Sequence, residues 1–461
     1  MTRFDPADTI AAISTPPGEA GIGIVRLSGP DAAAIARKIF RPHRPRQTWR
    51  SHRLYLGHIV GSHEEIIDEV FLTWMQAPQT YTREDVVEIN CHSGYGVLSR
   101  LLSLVLEQGA RLAQPGEFTL RAFLSGRIDL TQAEAVLEVI RARTDAALQV
   151  ASGHLLGSLG LGLAQIREAL LDWLARVEAA LDFPEEAEEL SPPTLDEGLA
   201  AQMAHLSGLA ATYDAGRLLR EGLLTVIAGR PNAGKSSLLN RLLDLDRAIV
   251  TEIPGTTRDL IEETITLGGI LVRLSDTAGL RPARDRLEEL GIQRTRERLA
   301  QADLVLYLVD GSEPFSPEDR EALKELAGRR GLAVLNKVDL PPALDATELT
   351  KVTAFPVVRI STRTGEGIEP LKQAMVNLAL GGGLKLSGEM VTQARHHQLL
   401  KNCLGSLSRA RALLSAGRPA PAWELVALEL QEAIRELGEI TGQEVGDEIL
   451  ERIFGEFCLG K

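Results

Sequence analysis

Between residues 222 and 380 short, continuously apolar runs alternate with amphipathic stretches. "LLTVIAGR", "ILVRLSD", "DLVLYLVD", "GLAVLNKVD" and "FPVVRIS" are each followed by a turn and a helical pattern. Apolar runs without polar alternation predict strands buried on both faces, hence a parallel sheet covered by helices, an α/β unit. The first 118 residues pattern differently. "GIGIVRLSG" (21–29), "DEVFLTWMQAP" (68–78) and "DVVEINCHSG" (85–94) are β-like runs set off by glycine turns, which predicts an α+β domain. From about 119 to 216, leucine, isoleucine and alanine recur at three- and four-residue spacing, as in "DLTQAEAVLEVIRAR" and "LAQIREALLDWLARVEAALDF", and predict long helices. The proline- and acid-rich "FPEEAEELSPPTLDEG" (183–198) predicts a flexible turn between two of them.

After "LGGGLKLSGE" the pattern is helical again to the end. In "ALELQEAIRELGEI" the residues Leu430, Ile434, Leu437 and Ile440 form one apolar stripe. Helices before and after the α/β unit are therefore expected to pack together, with that unit inserted in a helical domain. The expected order is an α+β domain over 1–118, the first helical part over 119–216, the inserted α/β unit over 217–382 and the second helical part over 383–461.

Composition adds constraints. The 461 residues suffice for about three domains at roughly 150 residues each. No apolar run approaches the roughly 18 residues needed to cross a bilayer, and no charged-then-apolar signal segment opens the chain, so a cytoplasmic protein without membrane association is expected. Acidic residues outnumber basic ones by 63 to 50, a net charge of −13. That field repels polyanions and speaks against nonspecific nucleic-acid binding, so a nucleic-acid substrate would need a local basic patch or a partner. Cys91, Cys403 and Cys458 are odd in number and lack CxxC spacing, which argues against disulfides and a structural zinc site and for reduced thiols.

The candidate chemistry begins where "LTVIAGR" runs into "GRPNAGKSS". Gly229, Gly234, Lys235 and Ser236 satisfy G-x-x-x-x-G-K-S. In that pattern backbone N–H groups and a helix N-terminus cradle phosphates, the lysine meets the β and γ oxygens, and the serine hydroxyl ligates Mg²⁺. Asn232, Ala233 and Ser237 complete the loop. In "GTTRD" (255–259) Thr257 is the second candidate Mg²⁺ ligand, and "DTAG" (276–279) places Asp276, Thr277, Ala278 and Gly279 toward the γ-phosphate. "NKVD" supplies Asn336, Lys337 and Asp339. The Asp339 carboxylate can accept two hydrogen bonds from the guanine N1–H and 2-amino group, which adenine lacks. "STRTGEG" adds Ser361, Thr362 and Arg363 as the last base-contacting loop. Together these motifs specify an inserted Ras-like P-loop α/β G domain that binds GTP.

One position departs from that pattern. Where a water-orienting glutamine is expected after DTAG stands Leu280, which can neither donate nor accept. The Asn232 side chain, with Thr256 and loop carbonyls of Thr251 and Ile253, could ligate a monovalent cation where an arginine finger otherwise stabilises charge. Asn232 reads equally as a turn residue.

"GRPNAGKSSLLN", "GTTRD", "DTAGLR", "NKVD", the N-terminal "TPPGEAGIGIVRLSG" and "YTREDVVEINCHSG", "PGEFTLRAFLSGRIDLTQAEAV" and the ending "FCLGK" resemble, over nearly the whole chain, the MnmE (TrmE) family of tRNA-modification GTPases. The resemblance implies a multidomain α+β and α/β protein: an N-terminal domain that binds a tetrahydrofolate derivative (5-formyl- or 5,10-methylene-tetrahydrofolate) and dimerises, and a central all-helical domain carrying the G domain. It further implies a homodimer that joins the FAD-dependent MnmG in a heterotetramer. That assembly installs an aminomethyl or carboxymethylaminomethyl group on C5 of the wobble uridine (position 34) of certain tRNAs. The family's K⁺ site falls on Asn232, Thr251, Ile253 and Thr256, and potassium-dependent pairing of G domains drives hydrolysis there. Its water-directing switch glutamate falls on Glu288, which otherwise reads as an exposed helix acid. The folate contacts fall on Arg26, Glu88, Arg127 and Lys461. The family usually has lysine at Arg127, Thr-Gly-Glu-Asp where this chain has "TRED", and a His-Gly-Gly ending where it has "CHSG".

The same resemblance puts Cys458 and Lys461 beside the folate. A thiolate there could act as nucleophile or acid/base at the uracil ring, and a small, buried, inert cysteine in a packed tail is the competing reading. Two rivals of other classes stand beside the whole: a regulatory GTPase switch in ribosome assembly, and a folate-dependent aminomethyltransferase-like enzyme with a regulatory G domain.

Overall fold

The computed structural model describes residues 8–16, 18–44, 48–182, 191–246, 263–276, 298–381, 386–415 and 422–461. They form two compact units, one of Met1–Leu137, His154–Asp172 and Ile434–Lys461, the other of Glu138–Gly153 and Trp173–Ala433.

In the first unit β1 (Ile10–Ile13), β2 (Ala20–Ser28), β3 (Phe40–Pro42), β4 (Arg53–Val60), β5 (Ile66–Met75), β6 (Val86–Ser93) and β7 (Arg111–Leu112) build a seven-stranded sheet in the order β3-β4-β5-β6-β2-β1-β7. Only β1 and β7 pair parallel. Alternation sorts its side chains: Val25, Leu27, Tyr55, Ile59, Val70, Leu72, Val87 and Ile89 enter one core together with Ile35, Ile39, Leu98, Leu101 and Val105 from the helices Ala32–Ile39 and Tyr95–Glu107. The opposite face carries a row set by register, Ala12 beside Arg26 beside Glu88 beside Thr73. Part of this face is covered by a smaller cluster in which Ile10 and Ala12 pack with Phe118.

In the second unit β8 (Leu223–Gly229), β9 (Glu263–Leu267), β10 (Ile270–Asp276), β11 (Leu304–Asp310), β12 (Gly331–Asn336) and β13 (Val357–Arg359) form a six-stranded sheet in the order β13-β12-β11-β8-β10-β9. Leu304, Leu306 and Leu308 of β11 join one apolar cluster, while Val305, Tyr307 and Val309 join another. Both faces are buried, which is why the strand reads as an unbroken apolar run. Five strands are parallel. The sixth, β9, is antiparallel to β10 across the Gly268–Gly269 turn, a departure from the all-parallel expectation. Its residues alternate Thr264, Ile265, Thr266, Leu267, with only Ile265 and Leu267 buried, as suits an edge strand.

The break expected over 183–198 is shorter than its composition suggested. The helix Pro192–Ala211 starts inside it, capped by the Ser191 hydroxyl, which accepts from the Thr194 amide. Pro192 and Pro193 occupy the first helical positions, where a missing N–H costs nothing. This helix packs against Ala394–Leu414 in the same unit, with Arg411 forked onto Asp196 at 2.7 and 2.8 Å. No single helix among the described residues is long and apolar enough to cross a membrane.

Candidate functional site

Three loops leave the C-terminal ends of β8, β12 and β13 and meet. The first carries the G-x-x-x-x-G-K-S residues. Asn232 is exposed with φ at +65°, and Gly234 has φ at +102°. A Cβ on Gly234 would lie 2.2 Å from the Asn336 amide nitrogen, so sterics and backbone conformation both require glycine there. Ala233 is buried, and Lys235, Ser236 and Ser237 open the helix Lys235–Asp246. The Lys235 ammonium donates to the carbonyls of Gly229 at 2.8 Å and Arg230 at 2.7 Å, which folds it back over the loop where phosphate oxygens would compete for it.

Asn336 ties the loops together. Its amide donates to Ala233 O at 2.8 Å and its side-chain oxygen accepts from the Thr362 amide at 3.1 Å, with the residue fully buried. Lys337, at φ +65°, pairs with Asp310 at the end of β11. Burial opposes ionisation of Asp310, but this ammonium and two hydrogen bonds from Ser312 outweigh it and hold the carboxyl below the usual range. The Ser361 hydroxyl donates to Asp339 Oδ1 at 2.6 Å, orienting an exposed carboxylate, and Arg363 is exposed beside it. A helix N-terminus, a lysine, a bridging asparagine and an oriented carboxylate suit a guanine nucleotide.

Thr251, Ile253, Thr256, Thr257, Thr277, Ala278, Gly279 and Glu288 lie outside the described residues, and Asp276 is described only as the last residue of β10. Ser236 and Asn232 are thus the described members of the expected Mg²⁺ and K⁺ ligand sets. Asp310, which sequence reasoning missed, stands 27 positions before Lys337, and no local motif links them.

The second cluster is on the first unit's sheet. Arg26 donates from Nε to Glu88 Oε1 at 2.8 Å, and its Nη2 lies at the same distance. Its Nη1 donates to Gly460 O at 3.3 Å, and its guanidinium carbon is 5.7 Å from the Phe118 ring centre. The tail therefore reaches this pair within one chain. Phe457 is buried and stacks obliquely on Phe454, the Lys461 main-chain O accepts from the Phe118 amide at 3.2 Å, and a Cβ on Gly460, at φ +88°, would lie 2.5 Å from Ile13 O. Cys458 is exposed, which corrects the expectation of a buried thiol: the tail is packed through Phe457 and Gly460 and leaves residue 458 outside.

Arg127 joins through Tyr81, over whose ring its guanidinium sits at 4.9 Å. Burial raises the Tyr81 pKa against the pull of its Thr119 hydrogen bond and of Arg127 and Arg26. Tyr81, Phe118 and Thr119 were missed in the sequence; the sole signal was their place in the quoted "YTREDVVEINCHSG" and "PGEFTLR" stretches. Beneath them Arg121, 1% exposed, ion-pairs with Glu84 at 3.0 Å, Asp8 at 2.5 Å and Glu117 at 3.1 Å.

Known proteins match this layout. The family model described as GTP-binding protein TrmE N-terminus matches residues 9–127, and the MnmE helical domain model matches 130–458. The tRNA modification GTPase MnmE of Chloroflexus aurantiacus is 49% identical over 98% of this chain and 100% of its own length. That of Symbiobacterium thermophilum is 47% identical over 98% and 99%. Among solved structures, the G domain of the T. maritima FeoB iron transporter matches at 30% identity over 34% of this chain and 98% of that one, with a TM-score of 0.27. Such identity, sustained from end to end across both family models, makes this chain a member of the MnmE (TrmE) family.

Proposed function

We propose that the chain is a GTP-hydrolysing tRNA modification enzyme that acts on the wobble uridine (position 34). The observation that carries the reading is near-complete alignment, at 45–49% identity, with relatives named tRNA modification GTPase MnmE, combined with preassembled base and phosphate loops. Asp339 and Asn336 select and seat guanine, with Lys337, Ser361, Thr362 and Arg363 shaping the base loop. Lys235, Ala233, Gly234 and Ser237 hold the phosphates. Ser236, with Thr257, holds Mg²⁺; Asn232, with Thr251, Ile253 and Thr256, holds K⁺; these ions supply positive charge where negative charge develops. Asp276, Thr277, Ala278 and Gly279 read the γ-phosphate, and Glu288 directs water.

Arg26, Glu88, Arg127 and Lys461 hold a tetrahydrofolate derivative, the Glu88 carboxylate facing a pterin's donor edge and the cations its glutamyl tail. The group supplies one carbon. Arg26 positions Glu88 by its fork and anchors the tail by its third nitrogen, which leaves the exposed Cys458 thiol free to approach a uracil ring. The working assembly is a cytoplasmic homodimer joined by the FAD-dependent MnmG in a heterotetramer. Its parts are a folate-binding and dimerisation domain over 1–118, a helical domain over 119–216 and 383–461, and a G domain over 217–382.

Nucleoside mass spectrometry of bulk tRNA from cells lacking the gene, restored with the intact gene or with Lys235→Ala, tests this. C5-aminomethyl-type wobble uridines should vanish without the gene and return only with the intact copy. Their persistence in the deleted strain would remove the proposal and favour the ribosome-assembly switch.

A further inference from the structure

Two imidazoles and a carboxylate from three neighbouring strand segments converge on the sheet face opposite the helices. His58 on β4 stands directly across from Glu69 on β5. His43 lies one residue beyond β3, its amide held by Leu56 O at 3.1 Å, and so follows Arg41, the partner of His58, onto the same face. The Nε2 atoms of His43 and His58 are 3.1 and 3.7 Å from one oxygen, Glu69 Oε1. All three donor atoms lie within 4.8 Å of one another, and the two rings are tilted with centroids 4.8 Å apart.

Two protonated rings at that spacing would repel, and surface ion pairs return about 0–1 kcal/mol, so ion pairing alone is a weak reason to gather these groups. Neutral rings would aim lone pairs at the point the carboxylate faces. An ion bonded at about 2.0–2.2 Å to each donor needs donors separated by about 3–3.5 Å. His43 and Glu69 meet this at 3.1 Å, His58 and Glu69 approach it at 3.7 Å, and the two histidine donors, within 4.8 Å, draw together on binding.

We propose that His43, His58 and Glu69 bind a divalent transition-metal ion, with zinc as the occupant suited to two imidazoles and one carboxylate. Three protein donors leave a coordination position for water or an incoming group. The histidine side chains are 40% and 33% exposed, so the ion exchanges with solvent. None of the three residues belongs to the nucleotide loops or to the Arg26 cluster. Strand register holds His58 and Glu69, and the bond from the His43 amide to Leu56 O holds the third donor's backbone, which is the preorganisation a metal site requires.

Zinc chloride titrated calorimetrically into the full, chelator-treated, nucleotide-free chain carrying Cys458→Ser tests this without interference from the exposed thiol. One zinc per chain is expected to bind, with affinity at least tenfold weaker in His58→Ala or Glu69→Gln and lost in the His43→Ala/His58→Ala pair. Zinc should raise the melting temperature of the Cys458→Ser chain and not that of the double variant, and the zinc-free melting temperatures of the two should match. His43→Gln and His58→Gln serve should an alanine variant melt early. Unchanged stoichiometry and affinity in the histidine variants, or failure of the parent chain to bind zinc, overturns the proposal.

Discussion

In the six-stranded sheet the described G-x-x-x-x-G-K-S, NKVD and STRTGEG motifs follow the C-terminal ends of the parallel strands β8, β12 and β13, while in the seven-stranded sheet Arg26 and Glu88 stand mid-strand, facing each other across β2 and β6. The first arrangement presents contiguous loop motifs, each local in sequence, tied to one another through Asn336. The second is a pair of side chains whose position depends on register and on a tail 434 residues away. A site of contiguous motifs carries most of its geometry within each loop, whereas a site assembled by register fails when a distant segment shifts.

The largest expected effect falls on the assembled side. Arg121→Ala leaves three carboxylates around an empty fork and should destabilise the first unit by about 3–5 kcal/mol, read as a lower urea midpoint at constant slope. A midpoint unchanged within error would make the two sides equally robust. On the local side, Lys235→Ala should weaken GTP binding at least about a hundredfold, about 3 kcal/mol, through lost charge-assisted hydrogen bonds, while the urea midpoint stays put. Normal GTP affinity in that variant would refute the phosphate site. Asp339→Asn should cut discrimination of GTP over ATP by about a hundredfold in competition assays, since the amide presents a donor to guanine's donors.

Arg26→Gln should weaken binding of a tetrahydrofolate derivative by about tenfold, one charge-assisted contact, in equilibrium dialysis. The gentlest probe is acid. Asp8 and Glu117 are pushed up by burial, yet Arg111 and Arg121 outweigh it and hold both below their ordinary values of 3.8 and 4.5. Their contribution is complete above those values and drains as pH falls through the lower folded ones. Thermal melts from pH 6 to pH 3 should therefore fall in the intact chain and fall less in Arg121→Ala; parallel slopes would break the link.

The α/β unit was legible because strands buried on both faces print themselves as apolar runs, and its motifs because each is contiguous. The β9 edge strand was not, since Thr264, Ile265, Thr266 and Leu267 alternate and make no such run. The helix start at Pro192 was obscured because proline marks both breaks and first turns. In the first unit, Arg26, Glu88 and the tail were picked out through family likeness. Tyr81, Phe118 and Arg121 were not, because what joins them is the packing of the helix Glu117–Leu124 against the segment between β5 and β6 and against Asp8, contacts that neither composition nor spacing encodes.

The route of the chain through the first unit has a further consequence, for its birth on the ribosome. The sheet strands emerge first, but the Phe118 amide and the third nitrogen of Arg26, Nη1, receive their partners only after the whole nucleotide-binding unit has been translated. The N-terminal sheet must therefore wait half-dressed, with the Glu88 face accessible, through the synthesis of some 300 further residues. Docking of Phe457 and Gly460 is then the closing step of maturation, and a message cut short of it would yield chains with the nucleotide loops formed and the bond from Arg26 to Gly460 missing.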